Sequence, residues 1–328
     1  MNAIYQRKYG KSDVLMFGEQ PSPILGPRDL RVKNHAASVN PRDWMIRSGR
    51  YQLQFLVPSF PLILGSDFAG QVIEVGAKVK GFSVGDRVFG MKNPSEGLAT
   101  YAEEVVVRAN NTAHVPTKLS YTEAAGVPLC ALTAWQALVS KAGIKKGMNV
   151  LVIGGSGGVG GFAVQIASAL GAKVTGVCST DNVTLVASLG AENVIDYTQQ
   201  DFLDGTENYD IIFDTIGKHS LDLCAKVLTV RGVFVSTIPS PKNLRSVFKT
   251  SIYSLVSPKS RRARIVMVKS RGTDLAKVAD MIAIGSVRSV VDQVFQLQQA
   301  GKALDYSRSL RAKGKIILEI APAINVLS

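Results

Sequence analysis

Two rhythms of apolar residues divide the chain. Up to about residue 120, short β-branched runs alternate with polar residues and are cut by Gly, Pro and Asp, as in "DLRVKNHAASV", "FAGQVIEVG" and "YAEEVVV". Period-two alternation between turn signals predicts strands, and hence a β-rich domain. From about Tyr121 the pattern changes. "NVLVIGG" reads as a buried strand, "GGFAVQIASALGA" as a helix ending in Gly, "KVTGVCS" as a second strand, "NVTLVASLGA" as a second helix and "ENVIDY" as a third strand. "YDIIFDTIG" and "GVFVSTI" continue the series. Strands alternating with helices predict βαβ units and a doubly wound parallel sheet. After about residue 270, "DLAKVADMIAIGSV" predicts a helix and "GKIILEIA" a closing strand. The expected fold class is α/β, with a β-rich domain over residues 1–121 completed by 271–328, and a doubly wound domain over 122–270.

Composition narrows this only a little. The 328 residues suffice for two domains, and 46% hydrophobic with 19% charged residues is an ordinary globular balance. The opening "MNAIYQRKYGKSD" has no apolar run of secretory length and no stretch is long enough to span a bilayer, so neither a leader nor a membrane span is expected. Cys130, Cys178 and Cys224 lie far apart and form no CxxC pair, which speaks against a disulfide framework or a structural zinc and for a cytoplasmic setting. The net charge of +13 favours anionic partners, and it is concentrated. From Ile238 to Arg264 there are seven basic residues and no acid: Lys242, Arg245, Lys249, Lys259, Arg261, Arg262 and Arg264.

The most informative stretch is "NVLVIGGSGGVGGFAVQIA". Gly155, Gly157 and Gly160 satisfy G-x-G-x-x-G between a hydrophobic strand and an amphipathic helix. Gly155 is assigned the tight turn, Gly157 the close approach of backbone to a pyrophosphate, and Gly160 close helix–strand packing. With Ser156, Gly158 and Val159 they form a cradle whose helix N-terminus offers N–H groups to phosphates. An acid about 20 residues on would meet a free ribose 2′-hydroxyl, but Cys178 and Ser179 stand there. Ser179 can donate to a 2′-phosphate, so NADPH is the expected cofactor, although Asp181 follows closely. Tyr197 is placed to pack beside the adenosine, and Ile238, which ends "GVFVSTI", completes the candidate cofactor residues. The plainer readings are a turn serine at 179 and a surface aromatic at 197.

The pieces "SVNPRDWMIRSGRY", "FPLILGSDFAGQVIEVG", "GDRVFG", "AAGVPLCALTAWQAL", "GGSGGVG", "LGAENVIDY" and "GKIILEI" occur in an order and spacing that resemble the medium-chain dehydrogenase/reductase superfamily over nearly the whole chain. Within it the sequence is similar to the zinc-independent quinone oxidoreductases, and to the reticulon-4-interacting oxidoreductases in "LTAWQAL" and "VCS". The resemblance implies a GroES-like catalytic domain followed by a Rossmann domain. Zinc-dependent relatives carry a Cys near "SVNP" and a His–Glu pair after "LG"; here the segment has no Cys and the pair is Ser66–Asp67. The four-Cys lobe is absent from "MKNPSEGLATYAE". A lone Asp67 cannot form a three-ligand zinc site, and His35, His114 and His219 read as structural, so no metal is expected.

Without a Lewis acid, hydride transfer suits an acceptor that is already electrophilic, a quinone or an activated α,β-unsaturated carbonyl. The resemblance then assigns Asn40 to the nicotinamide side with its amide toward the substrate oxygen, Tyr51 to the substrate side, Asp43 to ordering the loop that carries Asn40, and Thr133 to the nicotinamide. The residues alone leave other roles open: Asn40 before Pro41 shaping a turn, Asp43 capping a helix, Thr133 filling a core. Met45 stands where the family often has Tyr. A zinc-free dehydrogenase of another carbonyl compound, or a nucleotide-binding scaffold attached to RNA or an anionic membrane, are the alternatives; nucleic acid is the less favoured partner. "RIVMVKS", residues 264–270, reads as the sheet's last strand, whose apolar edge implies a homodimer. In "NLRSVFKTSIYSLV", Leu244, Val247, Phe248, Ile252, Leu255 and Val256 recur at helical spacing among Lys242, Arg245 and Lys249. Their stripe is expected to cover the cleft between domains or the dimer contact; the alternative is a peripheral membrane contact through 242–264.

Overall fold

The computed structural model describes residues 1–205, 207–257 and 260–320. The chain divides into two units, Met1–Leu129 with Lys269–Ala283 and the residues from Ser289 on, and Cys130–Val268 with Ile284–Arg288. The first boundary falls later than residue 121 because α2 (Tyr121–Ala125) packs on strands of the first unit.

The first unit is built from β1 (Asn2–Gln6), β2 (Met16–Glu19), β3 (Asp29–Val39), β4 (Leu62–Ile63), β5 (Asp67–Val75), β6 (Arg87–Met91), β7 (Glu104–Arg108) and β8 (Thr112–His114), with β15 (Val291–Gln296) and β16 (Lys315–Glu319) returning late in the chain. Helix α1 (Pro41–Arg47) follows β3, and α8 (Gly272–Ala283) and α9 (Ala300–Arg308) come late as well. The main sheet runs β15-β16-β3-β5-β6-β8 with β7 also on β3; a smaller sheet runs β2-β1-β4. The alternation read in β3 is real: Leu30, Val32 and Ala36 are buried, and Leu30 and Val32 pack with Phe68, Val72, Val88, Val105 and Val107. Asn34 keeps the inward phase because its amide donates to the carbonyls of Thr100 and Ala102, at 2.8 and 3.2 Å.

The second unit contains β9 (Asn149–Ile153), β10 (Lys173–Cys178), β11 (Asn193–Asp196), β12 (Tyr209–Asp214), β13 (Leu228–Ser236) and β14 (Arg262–Ile265), with α3 (Pro128–Trp135) shared across the boundary. Helices α4 (Gly158–Ala169), α5 (Val183–Ser188), α6 (Leu221–Cys224) and α7 (Pro241–Val256) accompany them. All six strands are parallel, in the order β11-β10-β9-β12-β13-β14. The chain winds outward from β9 through β10 to β11, then crosses to β12 and winds the other way. The switch lies between β9 and β12, where doubly wound sheets bind nucleotides beyond the strands' carboxyl ends. β14 is the edge strand, as the sequence implies, but it spans Arg262–Ile265 and not 264–270, since Lys269 onward belongs to the first unit. The three cysteines are buried and in no disulfide. Pro258 and Lys259, read in the sequence as part of the basic segment, lie outside the described residues.

Candidate active site and cofactor loop

At the end of β3 the backbone of Asn40 is extended (φ −126°, ψ 152°), and Pro41 opens α1. Asp43 caps the helix: its Oδ2 accepts the Asn40 N–H at 2.8 Å. The Asn40 side chain takes two polar partners. Its Nδ2 donates to Asp67 Oδ2 at 2.9 Å, and its Oδ1 accepts from Lys315 Nζ at 2.6 Å. The antiparallel register of β16 on β3, Ile316 opposite Val39, is what brings Lys315 there.

Asp67 is the centre of this set. Its Oδ2 also accepts from Ser38 Oγ at 2.5 Å and lies 3.9 Å from the Lys315 ammonium, while Oδ1 accepts the Leu129 N–H at 2.8 Å. Ser38, Asn40, Asp67 and Lys315 are all at most 3% exposed. One anion and one cation are thus enclosed together, where neither would be tolerated alone. Both carboxylate oxygens accept hydrogen bonds, and the ammonium of Lys315 lies beside Oδ2. Among the described residues no three His, Cys, Asp or Glu side chains gather as a ligand set.

The flank is polar too. Ser66 Oγ accepts from Arg42 Nε at 2.8 Å, and Arg42 Nη2 donates to the Lys92 carbonyl at 2.9 Å. Asp43 also accepts from the Tyr101 hydroxyl at 2.9 Å. Burial pushes the Asp43 carboxyl up to about 6, against the pull of Arg42 and the hydrogen bonds it accepts. Burial and Asp43 together push the Tyr101 phenol well up. Burial brings the Lys92 ammonium down to about 8, opposed by Glu96 and Asp29. Tyr51 packs half-buried against the apolar cluster beneath α1, and its hydroxyl takes no part in the network. The histidines stay apart: His35 stacks on Tyr121, His114 on Phe82, and His219 sits beside Asp214. Lys315, Ser38, Tyr101 and Arg42 were not singled out in the sequence. The only signal was a lysine heading the apolar run "KIILEI".

In the second unit the loop between β9 and α4 has the expected form with one correction. The left-handed residue of the turn is Gly154 (φ +84°), not Gly155. Gly155 is needed for space, since a Cβ there would lie 3.2 Å from Val186 Cγ1. At Gly160 a Cβ would come within 2.0 Å of the Gly154 carbonyl oxygen, the close packing assigned to it. At Gly157 a Cβ would meet only Gly154 O, at 3.5 Å, so the chain itself leaves that side open. Ser156, Gly157, Gly158 and Val159 are half-buried around the opening. Gly157 is the N-cap of α4 and brings no side-chain oxygen, leaving the helix's first amides for a ligand. These features fit a dinucleotide's phosphates.

Ser179 follows β10 and caps a short 3₁₀ turn; its Oγ accepts from Asn182 Nδ2 at 2.9 Å. Asp196, opposite Cys178 in register, is an acid near this end that the sequence reading passed over. Its oxygens accept from Thr180 Oγ1 at 2.5 Å and from the Thr198 N–H and hydroxyl at 2.9 and 2.8 Å, chief among them the Thr180 bond, which holds its carboxyl below the usual range. Tyr197 is 61% exposed. Buried Asp214, also missed, accepts the N–H groups of Ile216, Gly217 and His219 and so folds the loop after β12. The Ile238 side chain packs over Gly217, where a Cβ would clash with it. Thr133 lies buried on α3.

Two family models match the chain, an alcohol dehydrogenase GroES-like domain over residues 26–117 and a zinc-binding dehydrogenase over residues 189–318. The mitochondrial NAD(P)H oxidoreductase RTN4IP1 of Danio rerio is 35% identical, with 95% of this chain and 89% of that protein covered. A quinone oxidoreductase from Coxiella burnetii matches with a TM-score of 0.86 and 30% identity over 98% of this chain and 99% of its own. The quinone oxidoreductase of Escherichia coli, solved in complex with NADPH, matches with a TM-score of 0.80 and 26% identity over 98% and 100%.

Proposed function

From the premise that the chain belongs to the medium-chain dehydrogenase/reductase family, among its NAD(P)H and quinone oxidoreductases, we propose that this nicotinamide-dependent oxidoreductase is a zinc-independent, NADPH-dependent reductase of quinones or activated enones. The observation that carries the reading is the state of Asp67. Its carboxylate is saturated by Ser38, Asn40 and the Leu129 N–H and paired with Lys315, so these residues do not fit a zinc ion. The bound nicotinamide supplies a hydride, and with one proton from solvent, a tyrosine or the ribose hydroxyl a quinone becomes a hydroquinone. We assign Asn40, Tyr51 and Thr133 to the surroundings of the acceptor, and Asp43, Asp67 and Lys315 to holding Asn40.

NADPH over NADH is supported by the absence of a carboxylate at Cys178 and Ser179, and by Asp196 being tied to Thr180 and Thr198. A homodimer through the exposed edge of β14 is part of the same proposal, as is a reducing compartment, which suits three buried cysteines outside any disulfide. The test is NADPH oxidation with a panel of small quinones and enones, with and without a strong chelator. Turnover that survives chelation supports the reading; one tightly bound zinc per chain, with activity lost on its removal, overturns it.

A further inference from the structure

Helix α7 is anchored by its polar side. Asn243, Ser246 and Thr250 are buried, while Leu244, Phe248 and Ile252 are 52%, 70% and 51% exposed. The inner face is held in place by specific bonds. Asn243 Nδ2 donates to Ser236 Oγ at 3.1 Å and to the Ile238 carbonyl at 3.2 Å, and Thr250 Oγ1 accepts the Ala263 N–H at 3.1 Å. Those bonds fix the helix's rotation against the ends of β13 and β14, so the apolar stripe cannot turn inward without breaking them. The stripe expected to lie against protein faces solvent in the single chain. The side chains of Leu255 and Val256, read as part of it, lie outside the described residues.

Leu244, Phe248 and Ile252 recur every fourth residue and form one ridge roughly 12 Å long. Lys242, Arg245 and Lys249, all exposed, run along one flank. No acidic residue occurs between Asp222 and Asp274. The occupant of this ridge must therefore be anionic and apolar at once. A second copy of the chain would bring the same cations against themselves. Three side chains also offer only on the order of a few hundred Å² of apolar surface, against roughly 800 Å² per partner in a stable interface. A lipid surface with acidic headgroups supplies both complements, phosphate and carboxylate for the cations and acyl chains for the ridge. No described helix is long and apolar enough to cross a membrane, so the contact is peripheral. We propose that α7 is a docking ridge for an anionic lipid surface, entering the headgroup layer through Leu244, Phe248 and Ile252 and held there by Lys242, Arg245 and Lys249.

The test uses the full chain and vesicles of phosphatidylcholine alone or in equal mixture with phosphatidylserine. Co-sedimentation with the mixed vesicles only, reversed by high salt, is expected. The variant Lys242→Gln/Arg245→Gln/Lys249→Gln should bind roughly a hundredfold more weakly, at about fivefold per near-surface cation. Phe248→Gln should weaken binding roughly tenfold, and Phe248→Trp should shift its emission to the blue on mixed vesicles alone. All three variants change exposed side chains and should keep the native circular dichroism and vesicle-free NADPH oxidation. Failure to sediment, or binding indifferent to both sets of substitutions, overturns the proposal. So does a Phe248→Gln protein whose dimer falls apart in light scattering, because a second copy would then cover the ridge. A Phe248→Gln protein with altered quinone KM in lipid-free solution refutes it too, because the ridge would then serve the substrate.

Discussion

Replacing Lys315 by Met keeps most of the side-chain volume and deletes one charge. What remains is Asp67, fully buried, with hydrogen bonds from Ser38, Asn40 and the Leu129 N–H but without the ammonium that faced it. Two routes give the size of the effect. At the 3.9 Å separation and an effective dielectric of about 20, the pair interaction is ~4 kcal/mol. Breaking a buried ion pair by removing one partner typically costs about 3–5 kcal/mol. Either figure is a large share of the ~5–15 kcal/mol that holds a folded protein together. Asp67→Asn should cost a similar amount, by stranding the ammonium. The double variant Lys315→Met/Asp67→Asn carries neither charge and should recover much of the loss, giving a coupling of roughly 3 kcal/mol. Urea unfolding of the four proteins, followed by tryptophan emission, measures this; Trp44 on α1 reports on the first unit and Trp135 on α3 on the second. Additive single losses, with coupling below about 0.5 kcal/mol, would show that the two charges do not depend on each other and refute the picture of Asp67 as a neutralised carboxylate.

The glycine loop separates folding from binding: Gly160→Ala should destabilise by about 1–3 kcal/mol because its methyl meets backbone, whereas Gly157→Ala should stay within ~1 kcal/mol of the parent yet lose NADPH affinity, as calorimetry of melting and of binding would read. Ser179→Asp keeps a residue able to cap the turn, so stability should hold while NADPH affinity falls by roughly tenfold or more and the preference moves to NADH; unchanged preference in a fluorescence titration would clear Ser179 of any role. Lys92→Met should stabilise by about 1–3 kcal/mol at neutral pH. The Lys92 pKa is lower folded (about 8) than unfolded (10.5), so its burial penalty is complete below pH 8 and vanishes as pH climbs to 10.5; denaturation across that range should show the variant's advantage shrink to nothing.

The strands of the parallel sheet were legible because burial on both faces leaves continuous apolar runs, "NVLVI" and "YDIIFD" being buried almost throughout. The glycine loop was legible for its spacing, but consecutive glycines in "IGGSGGVGG" hid which one carries the positive φ. β15 went unread because it is half-exposed and mixes glutamines with valines, so neither period stands out. In the first unit, the types of Asn40, Asp43 and Asp67 were visible, while the residue that unites Asn40 and Asp67 was not. Lys315 heads a strand, where a lysine ordinarily marks the solvated flank, and only the register of β16 on β3 reveals it as interior. With α7 the period was plain and the direction was not. Nothing local tells that Asn243 and Thr250 find partners on the neighbouring strands and so, with Ser246, take the inner side.

The return of β16 to β3 sets a timetable for the nascent chain. Asn40 leaves the ribosome long before Lys315, its partner 275 positions later, and in between the whole parallel sheet is synthesised. The second unit's sheet has nearly all its residues from one continuous segment and can assemble as it emerges, but the first unit waits, its central carboxylate without a counter-ion. Until Lys315 is made, Asp67 lacks the ammonium that lies beside it in the finished fold. The ion pair thus ties the middle of the first unit to the completeness of the chain: one cut short before Lys315 lacks both the strand that pairs with β3 and the charge that faces Asp67.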